Sequence, residues 1–227
     1  MTRIKICGIT NLYDALCAAR AGADMLGFIF YRKSPRFVAP EGAGSIARGV
    51  RETLGTDAPH FVGVFVNASA DEVRQVAGAA RLDLAQLHGD ESPQALRALA
   101  PLAFKALRPQ SLAQAQDQAA AYLPLSPEGE NVPQLLVDAY HPERYGGTGA
   151  RTDRDIAGDL ARRCRLLLAG GLTPNTVGPA IERVHPWGVD VSSGVEAAPG
   201  IKDHRLMRAF AAAVRAADRA GSNNNHP

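Results

Sequence analysis

The sequence is poor in cysteine and tryptophan and contains no long apolar run. It has 3 cysteines and 1 tryptophan among 227 residues, and Cys7, Cys17 and Cys164 do not form a Cys-x-x-Cys pair. An odd number of dispersed cysteines argues against a disulfide framework or a zinc site and favours a reducing cytoplasm. No apolar run approaches the ~20 residues of a membrane span. The chain also enters Ile4–Cys7 without the hydrophobic region of a signal peptide.

An excess of either charge is also missing. The 25 basic and 23 acidic residues give a formal net charge of +2, so nothing predicts nucleic acid or a membrane surface as a partner. Any site for an anion must therefore be local. A chain of this length is typical of one α/β barrel, and it can bury a core without metal or disulfide staples.

Short β-rich runs alternate with amphipathic helical segments along the whole chain. Parallel βαβ units are the expected arrangement, and eight of them in about 220 residues favour a single (β/α)8 barrel. An open, doubly wound sheet is the alternative, but nothing marks a break in the strand order. We place the barrel at residues 1–219 and a frayed polar tail at 220–227. The predicted strands are Arg3–Cys7, Met25–Phe30, Phe61–Val66, Leu84–His88, Ala103–Leu107, Leu135–Asp138, Arg165–Ala169 and Val189–Ser192.

Several segments between the strands have recognisable features. Ser69–Glu72 has the pattern of a capping box, and Ser92-Pro93 and Thr173-Pro174 each place a cap residue before a proline at the first helical position. We interpret Tyr122–Pro133 as an insertion on the face away from the active site. Apolar spacing predicts the buried faces of the first and last helices, namely Leu12, Ala15, Leu16 and Ala19, and Leu206, Phe210 and Ala213.

The predicted strands end in polar residues, at the face where a barrel carries its chemistry. Cys7, His88 and Asp138 end strands 1, 4 and 6. Because side chains alternate along a strand, Lys5 shares the interior face with Cys7, and Asp190 faces the interior from strand 8. Strands 1 and 8 are neighbours in a closed barrel, so we expect Lys5 and Asp190 to pair beneath the site.

Each of these side chains also has an ordinary structural interpretation. A buried cysteine is more often a packing residue than a catalyst, and Asp138 could be a solvated loop residue. His88 could be a core or rim histidine, which is commoner than a catalytic one. Cys17 projects away from the apolar face of its helix and Cys164 precedes a strand, so we expect neither to react.

The loops after strands 7 and 8 predict a phosphate site. Gly170 and Gly171 allow the backbone to approach a ligand closely, and Ser192–Gly194 follows strand 8. Ser193–Glu196 has the pattern of a capping box that opens a short extra helix. Barrels frequently bind phosphate with these two loops and the N-terminus of such a helix. Two ordinary glycine turns are the alternative.

Taken together, these residues resemble those of the phosphoribosylanthranilate isomerase family. The match extends over nearly the whole chain. No single segment decides it, but the joint occurrence of the segments in this order is highly specific. They are Lys5–Thr10, Gly22–Asp24, Gly27–Phe30, Ser34–Arg36, Val62–Asn67, Gln86–Glu91, Asp138, Gly146–Gly149, Leu168–Leu172, Val189–Glu196 and Pro199–Asp203.

The resemblance implies a (β/α)8 barrel that carries out an Amadori rearrangement in tryptophan biosynthesis without metal or organic cofactor. Cys7 matches the family's general base, Asp138 its general acid, and Arg36 the residue that binds the anthranilate carboxylate. Gly170-Gly171 and Ser192–Gly194 match its phosphate-binding loops. The expected partner is a small phosphoribosyl compound. The sequence does not fix the oligomeric state, and we expect a monomer, with a dimer as the alternative.

One segment departs from the family pattern. After Gly146–Gly149 the family usually continues Lys-Thr-Phe-Asp-Trp, whereas this chain has Ala150–Arg154. The departure leaves the acid and the base in place. We expect it to affect how the loop after strand 6 closes over the site, and through that the turnover rate.

Three other functions are compatible with parts of the pattern. An indole-glycerol-phosphate synthase needs a lysine and a glutamate at strand ends, and strand 5 does carry Lys105, but strand 1 ends in Cys7. The related isomerase of histidine synthesis would carry an aspartate at the end of strand 1. A non-catalytic phosphosugar-binding barrel needs the phosphate loops but not the acid–base pair.

Overall fold

The computed structural model is a closed barrel of eight parallel strands, and it describes residues 1–138 and 153–223. Each strand pairs with its sequence neighbours, and β8 pairs with β1 to close the ring. The closure excludes an open, doubly wound sheet. All eight predicted strands are present, with ends displaced by no more than one residue: β1 Arg3–Cys7, β2 Met25–Ile29, β3 His60–Phe65, β4 Leu84–Leu87, β5 Ala103–Leu107, β6 Leu135–Val137, β7 Leu166–Leu168 and β8 Gly188–Val191.

Helices follow the strands and surround the ring. A short antiparallel hairpin, β9 Glu196–Ala198 and β10 Ile201–Lys202, precedes the last helix. None of the described helices is both long enough and apolar enough to cross a bilayer. The helices are α1 Leu12–Arg20, α2 Pro40–Leu54, α3 Ala70–Ala80, α4 Pro93–Ala98, α5 Leu112–Tyr122, α6 Arg154–Ala161, α7 Val177–Val184 and α8 His204–Asn223, which continues past the predicted barrel boundary at 219.

Two of the four predicted helix starts are confirmed. The Ser69 hydroxyl accepts a hydrogen bond from the Glu72 amide at 3.2 Å, and the Ser92 hydroxyl accepts one from the Ala95 amide at 3.3 Å. Each bond satisfies one of the amides that a helix N-terminus leaves without an intrahelical partner.

The predicted start at Thr173-Pro174 is wrong. α7 begins at Val177, because the Thr176 hydroxyl reaches back to the Thr173 amide at 2.9 Å. That bond closes a separate turn before the helix, of the kind that serine and threonine side chains form in competition with helical hydrogen bonds.

The predicted apolar face of α1 is only partly right. Its buried residues are Asp14, Ala15 and Ala18, whereas Leu12 is 39% exposed. The buried face is centred on Asp14 because this carboxylate accepts hydrogen bonds from the Lys202 amide and the His204 ring, which tie α1 to the segment before α8. In α8 the prediction of Phe210 is confirmed, and the buried face is completed by Met207, Ala211, Val214 and Ala217.

The barrel interior is apolar at its lower end and polar at the carboxyl ends of the strands. Val132 and Trp187 pack against the lower cluster. Arg165 donates hydrogen bonds to the carbonyls of Pro127 and Val132 at 2.8 and 2.9 Å, so the segment Tyr122–Pro133 is held at the amino-terminal end, as predicted. The interior cluster consists of Met25, Val62, Leu84, Phe104, Ala106, Leu136, Leu167 and Ala169.

Lys105 points away from the barrel interior. Its neighbours Phe104 and Ala106 belong to the interior cluster, and side chains alternate along a strand. The buried Lys105 ammonium donates to the carbonyls of Leu87 and Gly89 at 3.1 and 2.8 Å. It also donates to the carbonyl of Ala106 and pairs with Glu91 at 3.2 Å. Lys105 is therefore a structural cation that holds the turn after β4, and not a lysine that faces a substrate.

We expect Lys105→Met to lower the free energy of unfolding by about 3 kcal/mol or more, because it leaves the buried Glu91 carboxylate without its cation. Urea denaturation of the two proteins measures the difference. Arg183→Met is the matched control, since it removes an exposed pair with Asp155 and should leave stability nearly unchanged. Equal stability of Lys105→Met and the unaltered protein would contradict this account of the turn.

Candidate active site

Cys7 lies at the end of β1 with its side chain in the barrel interior, where it is buried. Gly27 of β2 is its register partner. A Cβ atom at Gly27 would lie 2.7 Å from the Cys7 sulfur and 3.0 Å from its Cα, so only glycine leaves room for the thiol. Gly8 turns the chain away from the site with a φ of 79°, a conformation that glycine adopts without strain.

The predicted pairing of Lys5 and Asp190 is confirmed. The two residues are register partners across β1 and β8, and the Lys5 ammonium donates to the Asp190 carboxylate at 2.8 Å. Burial disfavours the charged lysine, but Asp190 and Cys7 outweigh burial and raise the pKa of Lys5. The interior of the barrel therefore holds a protonated lysine directly beneath the thiol.

The Cys7 thiol is neutral in the protein without ligand. Burial and the negative charge of Asp190 raise its pKa, and the nearby positive charges of Lys5 and Lys202 oppose this effect without cancelling it. Burial also raises the pKa of the other two thiols, to about 11 for Cys164. All three cysteines are free, and Lys5 and Lys202 both act directly on Cys7.

Asp138, His88 and Gln86 form a line of polar side chains on the other side of the interior. Asp138 follows β6 directly and is buried, so it is not a solvated loop residue. The His88 Nε2 atom lies 3.3 Å from the Asp138 carboxylate, and the Gln86 side-chain nitrogen lies 2.6 Å from His88 Nδ1. The site thus combines a thiol, a carboxyl group and an imidazole that the sequence places far apart.

Arg36 is buried in a network that sequence analysis did not foresee. Its Nε and Nη2 atoms donate to both oxygens of Glu196 at 2.7 to 3.1 Å. Lys202 donates to Glu196 at 2.8 Å and to the Cys7 carbonyl at 2.6 Å. Burial alone would raise the pKa of Glu196, but Arg36 and Lys202 lower it. The network therefore fixes the orientation of the Arg36 guanidinium beside β1.

The predicted capping box Ser193–Glu196 is wrong. The extra helix after β8 is a single 3-10 turn, Ser193–Val195, without a side-chain cap. The Glu196 carboxylate is engaged by Arg36 and Lys202 instead. Serine and glutamate three residues apart are also common outside helix starts, and the partners that decided the outcome lie elsewhere in the chain.

The loops after β7 and β8 are packed against each other. Gly170 and Gly171 both have positive φ, 90° and 62°. A Cβ atom on Gly194 would overlap the Leu172 carbonyl oxygen, so this glycine is what allows the two loops to touch. The Ser192 hydroxyl is buried and has no hydrogen-bond partner among the described residues. Backbone amides and a hydroxyl are thus brought together, as an anion site requires.

Some predicted features lie outside the described residues, namely Gly146–Gly149 and the first part of the departing segment, 150–152. Its last two residues are described: the Asp153 carboxylate caps α6 and Arg154 begins it. Within residues 1–138 and 153–223, no group of three or more histidine, cysteine or acidic side chains is arranged to hold a metal ion.

The fold is that of a (β/α)8-barrel enzyme, and a thiol, a carboxyl group and an imidazole are buried at the carboxyl ends of its strands. Residues 4–213 match the model of the N-(5'phosphoribosyl)anthranilate (PRA) isomerase family. The chain therefore belongs to the phosphoribosylanthranilate isomerase family.

Individual relatives agree with this assignment. A protein of Roseiflexus sp. (strain RS-1) named N-(5'-phosphoribosyl)anthranilate isomerase is 48% identical over 221 residues, which cover 96% of this chain and 99% of the relative. The crystal structure of the Thermotoga maritima phosphoribosyl anthranilate isomerase has a TM-score of 0.82 and 38% identity, covering 95% of this chain and 100% of that one. A second structure, with a TM-score of 0.79, 36% identity and the same coverage, is a complex with reduced 1-(o-carboxyphenylamino)-1-deoxyribulose 5-phosphate.

The electrostatics of Cys7 are testable in a variant that keeps it as the single cysteine, with Cys17→Ser and Cys164→Ser. We expect the alkylation rate of Cys7 to rise with pH through a midpoint above that of a free thiol, because burial raises its pKa. Lys5→Met should move the midpoint higher, since the lysine charge lowers the pKa, whereas the exposed Lys33→Met should not. A midpoint at or below that of a free thiol, or one that ignores Lys5, would refute this picture.

Proposed function

We propose that this protein isomerises N-(5-phosphoribosyl)anthranilate to 1-(2-carboxyphenylamino)-1-deoxyribulose 5-phosphate in tryptophan biosynthesis. Cys7 is the general base and Asp138 the general acid. The observation that carries the proposal is the placement of both groups, inward and buried, at the same end of one barrel in a chain of this family.

The reaction requires one acid and one base. Asp138 donates a proton to the ring oxygen of the sugar while the bond from that oxygen to C1 breaks, which leaves an iminium ion. Cys7 then takes the proton from C2, and the electrons of that bond neutralise the iminium nitrogen to give an enolamine. Proton transfer from the C2 hydroxyl to C1 yields the ketone. β7 and β8 separate β6 from β1, which suits two groups that act on different sides of the sugar.

The pair works with one proton between its two members, a thiolate that accepts and a carboxyl group that donates. Because the pKa of Cys7 is raised, only a minority of molecules carry the thiolate at neutral pH. The anionic substrate opposes the thiolate further. The charges of Lys5 and Lys202 act in the opposite direction, and we assign both as positioning residues for Cys7.

We expect Cys7→Ser to lower kcat at least roughly 100-fold with little change in KM, because a hydroxyl is a far weaker base and general acid–base catalysis contributes about 10²–10⁴-fold. Asp138→Asn should behave in the same way, since an amide has no acidic proton to give. Loss of substrate fluorescence measures both variants, and Cys17→Ser is the matched control with unchanged rates. Near-normal turnover by either variant would remove that residue from the mechanism.

Arg36 is assigned to the anthranilate carboxylate. The hydrogen bonds recorded among the described residues engage its Nε and Nη2 atoms, which leaves the Nη1 edge of the fixed guanidinium for a second carboxylate. Paired N–H donors of this kind recognise carboxylates with defined geometry.

We expect Arg36→Met to raise KM several-fold or more, about 1.5–3 kcal/mol for a charged hydrogen bond, with a smaller effect on kcat. Steady-state kinetics over a wide substrate range separates the two parameters. An unchanged KM in a folded variant would show that the carboxylate binds elsewhere.

The phosphate is assigned to Gly170, Gly171 and Ser192–Gly194. The turn after β8 has only 3 residues, so its macrodipole contributes little and the backbone amides themselves supply the interaction. The Ser192 hydroxyl supplies one more donor. This assignment does not depend on a helix start at Ser193.

The competing enzyme is disfavoured by the direction of one side chain. Lys105 points out of the barrel, with its ammonium bonded to backbone carbonyls, so β5 presents no lysine to a substrate for an indole-glycerol-phosphate synthase reaction. We further propose a cytoplasmic enzyme with a monomer as the working unit, because one chain supplies all of the assigned residues.

A further inference from the structure

Gln86 and His88 form a buried polar pair on the interior face of the barrel. Their exposures are 1% and 6%. The Gln86 side-chain nitrogen lies 2.6 Å from His88 Nδ1, and His88 Nε2 lies 3.3 Å from the Asp138 carboxylate. The reaction steps assigned above use Asp138 but give no role to Gln86, although a buried amide is costly unless it makes a specific bond.

The bond fixes the position of the imidazole proton. An amide nitrogen donates and does not accept, so His88 Nδ1 must be the acceptor and carry no proton. The single proton of the neutral ring then lies on Nε2 and faces Asp138. If the amide were turned around, its oxygen would draw the proton to Nδ1, and the bare Nε2 would face the Asp138 carboxylate as a second acceptor.

We propose that Gln86 is a positioning residue that holds His88 as the neutral tautomer protonated on Nε2; this inference rests on the proposed function. In the protein without substrate, His88 Nε2 lies 3.3 Å from the Asp138 carboxylate and makes no hydrogen bond among the described residues, so its proton is available to Asp138. The ring cannot take the proton of Asp138, because the amide occupies the other nitrogen. Ring opening converts Asp138 to a carboxylate, and a hydrogen bond that forms from His88 Nε2 at this point stabilises the new charge. A doubly protonated ring would instead hold Asp138 ionised and withhold the proton that the sugar oxygen needs.

The charged groups around His88 contact the backbone beside it or approach its Nε2 atom. The position of the imidazole proton is therefore assigned to the bond with Gln86. Lys105 of β5 contacts the backbone on either side of His88, at the Leu87 and Gly89 carbonyls, and its charge is paired with Glu91. These bonds hold the turn, so the ring stays in place when the Gln86 side chain is altered. Asp138 approaches the ring from β6.

Nitrogen-15 NMR of the full chain labelled at histidine reads the tautomer directly and needs no substrate. The chain has 6 histidines, and the His88 signals are those lost in His88→Asn. We expect an unprotonated Nδ1 and a protonated Nε2. A protonated Nδ1, with or without a proton on Nε2, would overturn the proposal. Absence of isomerase turnover with the expected tautomer present would instead overturn the proposed function.

Two substitutions test the consequence for catalysis. Gln86→Glu places an acceptor at Nδ1, so we expect both ring nitrogens to be protonated and kcat to fall roughly tenfold or more, as for a charged hydrogen bond, with KM within about twofold. Gln86→Met keeps a similar shape without the bond, and we expect a mixture of tautomers with a smaller loss of kcat. Gln94→Glu makes the same chemical change at an exposed position of α4 and should change neither readout.

Thermal unfolding checks that each variant is folded. A folded Gln86→Glu protein that keeps kcat within about twofold would overturn the proposal. An equal loss of kcat in both Gln86 variants, with the His88 tautomer unchanged, would also overturn it, because that result is what a merely structural side chain would give.

Discussion

The buried ion pair between Lys5 and Asp190 is the interaction on which the rest of the site depends. It joins β1 to β8, so it lies where the sheet closes into a ring. It also places the Lys5 ammonium beneath Cys7, where the Asp190 carboxylate offsets part of its effect on the thiol. A lysine in this position is tolerated because its carboxylate partner compensates for lost hydration. The same two residues thus bind the first strand to the last and set the electrostatic surroundings of the proposed base.

Two opposing effects meet at the Cys7 sulfur. Burial and the charge of Asp190 make its thiolate unfavourable, and the charges of Lys5 and Lys202 make it more favourable, but burial and Asp190 prevail in the protein without substrate. The proposed mechanism therefore combines a weakly populated but strong base, the Cys7 thiolate, with an acid, Asp138, on the other side of the barrel interior. On the acid side, Gln86 contacts the His88 imidazole, whose Nε2 atom lies 3.3 Å from the Asp138 carboxylate, and we propose that it orients the ring without adding a charge. In this proposal, a neutral His88 ring favours the protonated form of Asp138, and the charge of Lys5 favours the thiolate of Cys7.

Much of the fold could be predicted from the sequence because its determinants are local. The alternation of apolar runs with helical segments predicted the strands. The period of two along β1 and β8 correctly predicted that Lys5 and Asp190 face each other. The errors concern side chains whose partners are distant in the chain. Asp14 is buried on α1 because the Lys202 amide and His204 bind it. Glu196 does not form the predicted capping box, because Arg36, 160 residues away in the chain, binds its carboxylate. No local pattern marks such partners, and Gln86 likewise gains its proposed role only through His88, which lies beside Asp138.

The central claim is that a thiolate and a carboxyl group share one proton across the barrel. The most direct test is the dependence of kcat/KM on pH for the unaltered protein. We predict that kcat/KM falls as the pH rises through the raised pKa of Cys7, because above it the pair has lost the one proton that it needs. A value of kcat/KM that instead climbs through this range to an alkaline plateau would mean that the thiolate acts without a titrating acid, and would contradict the account.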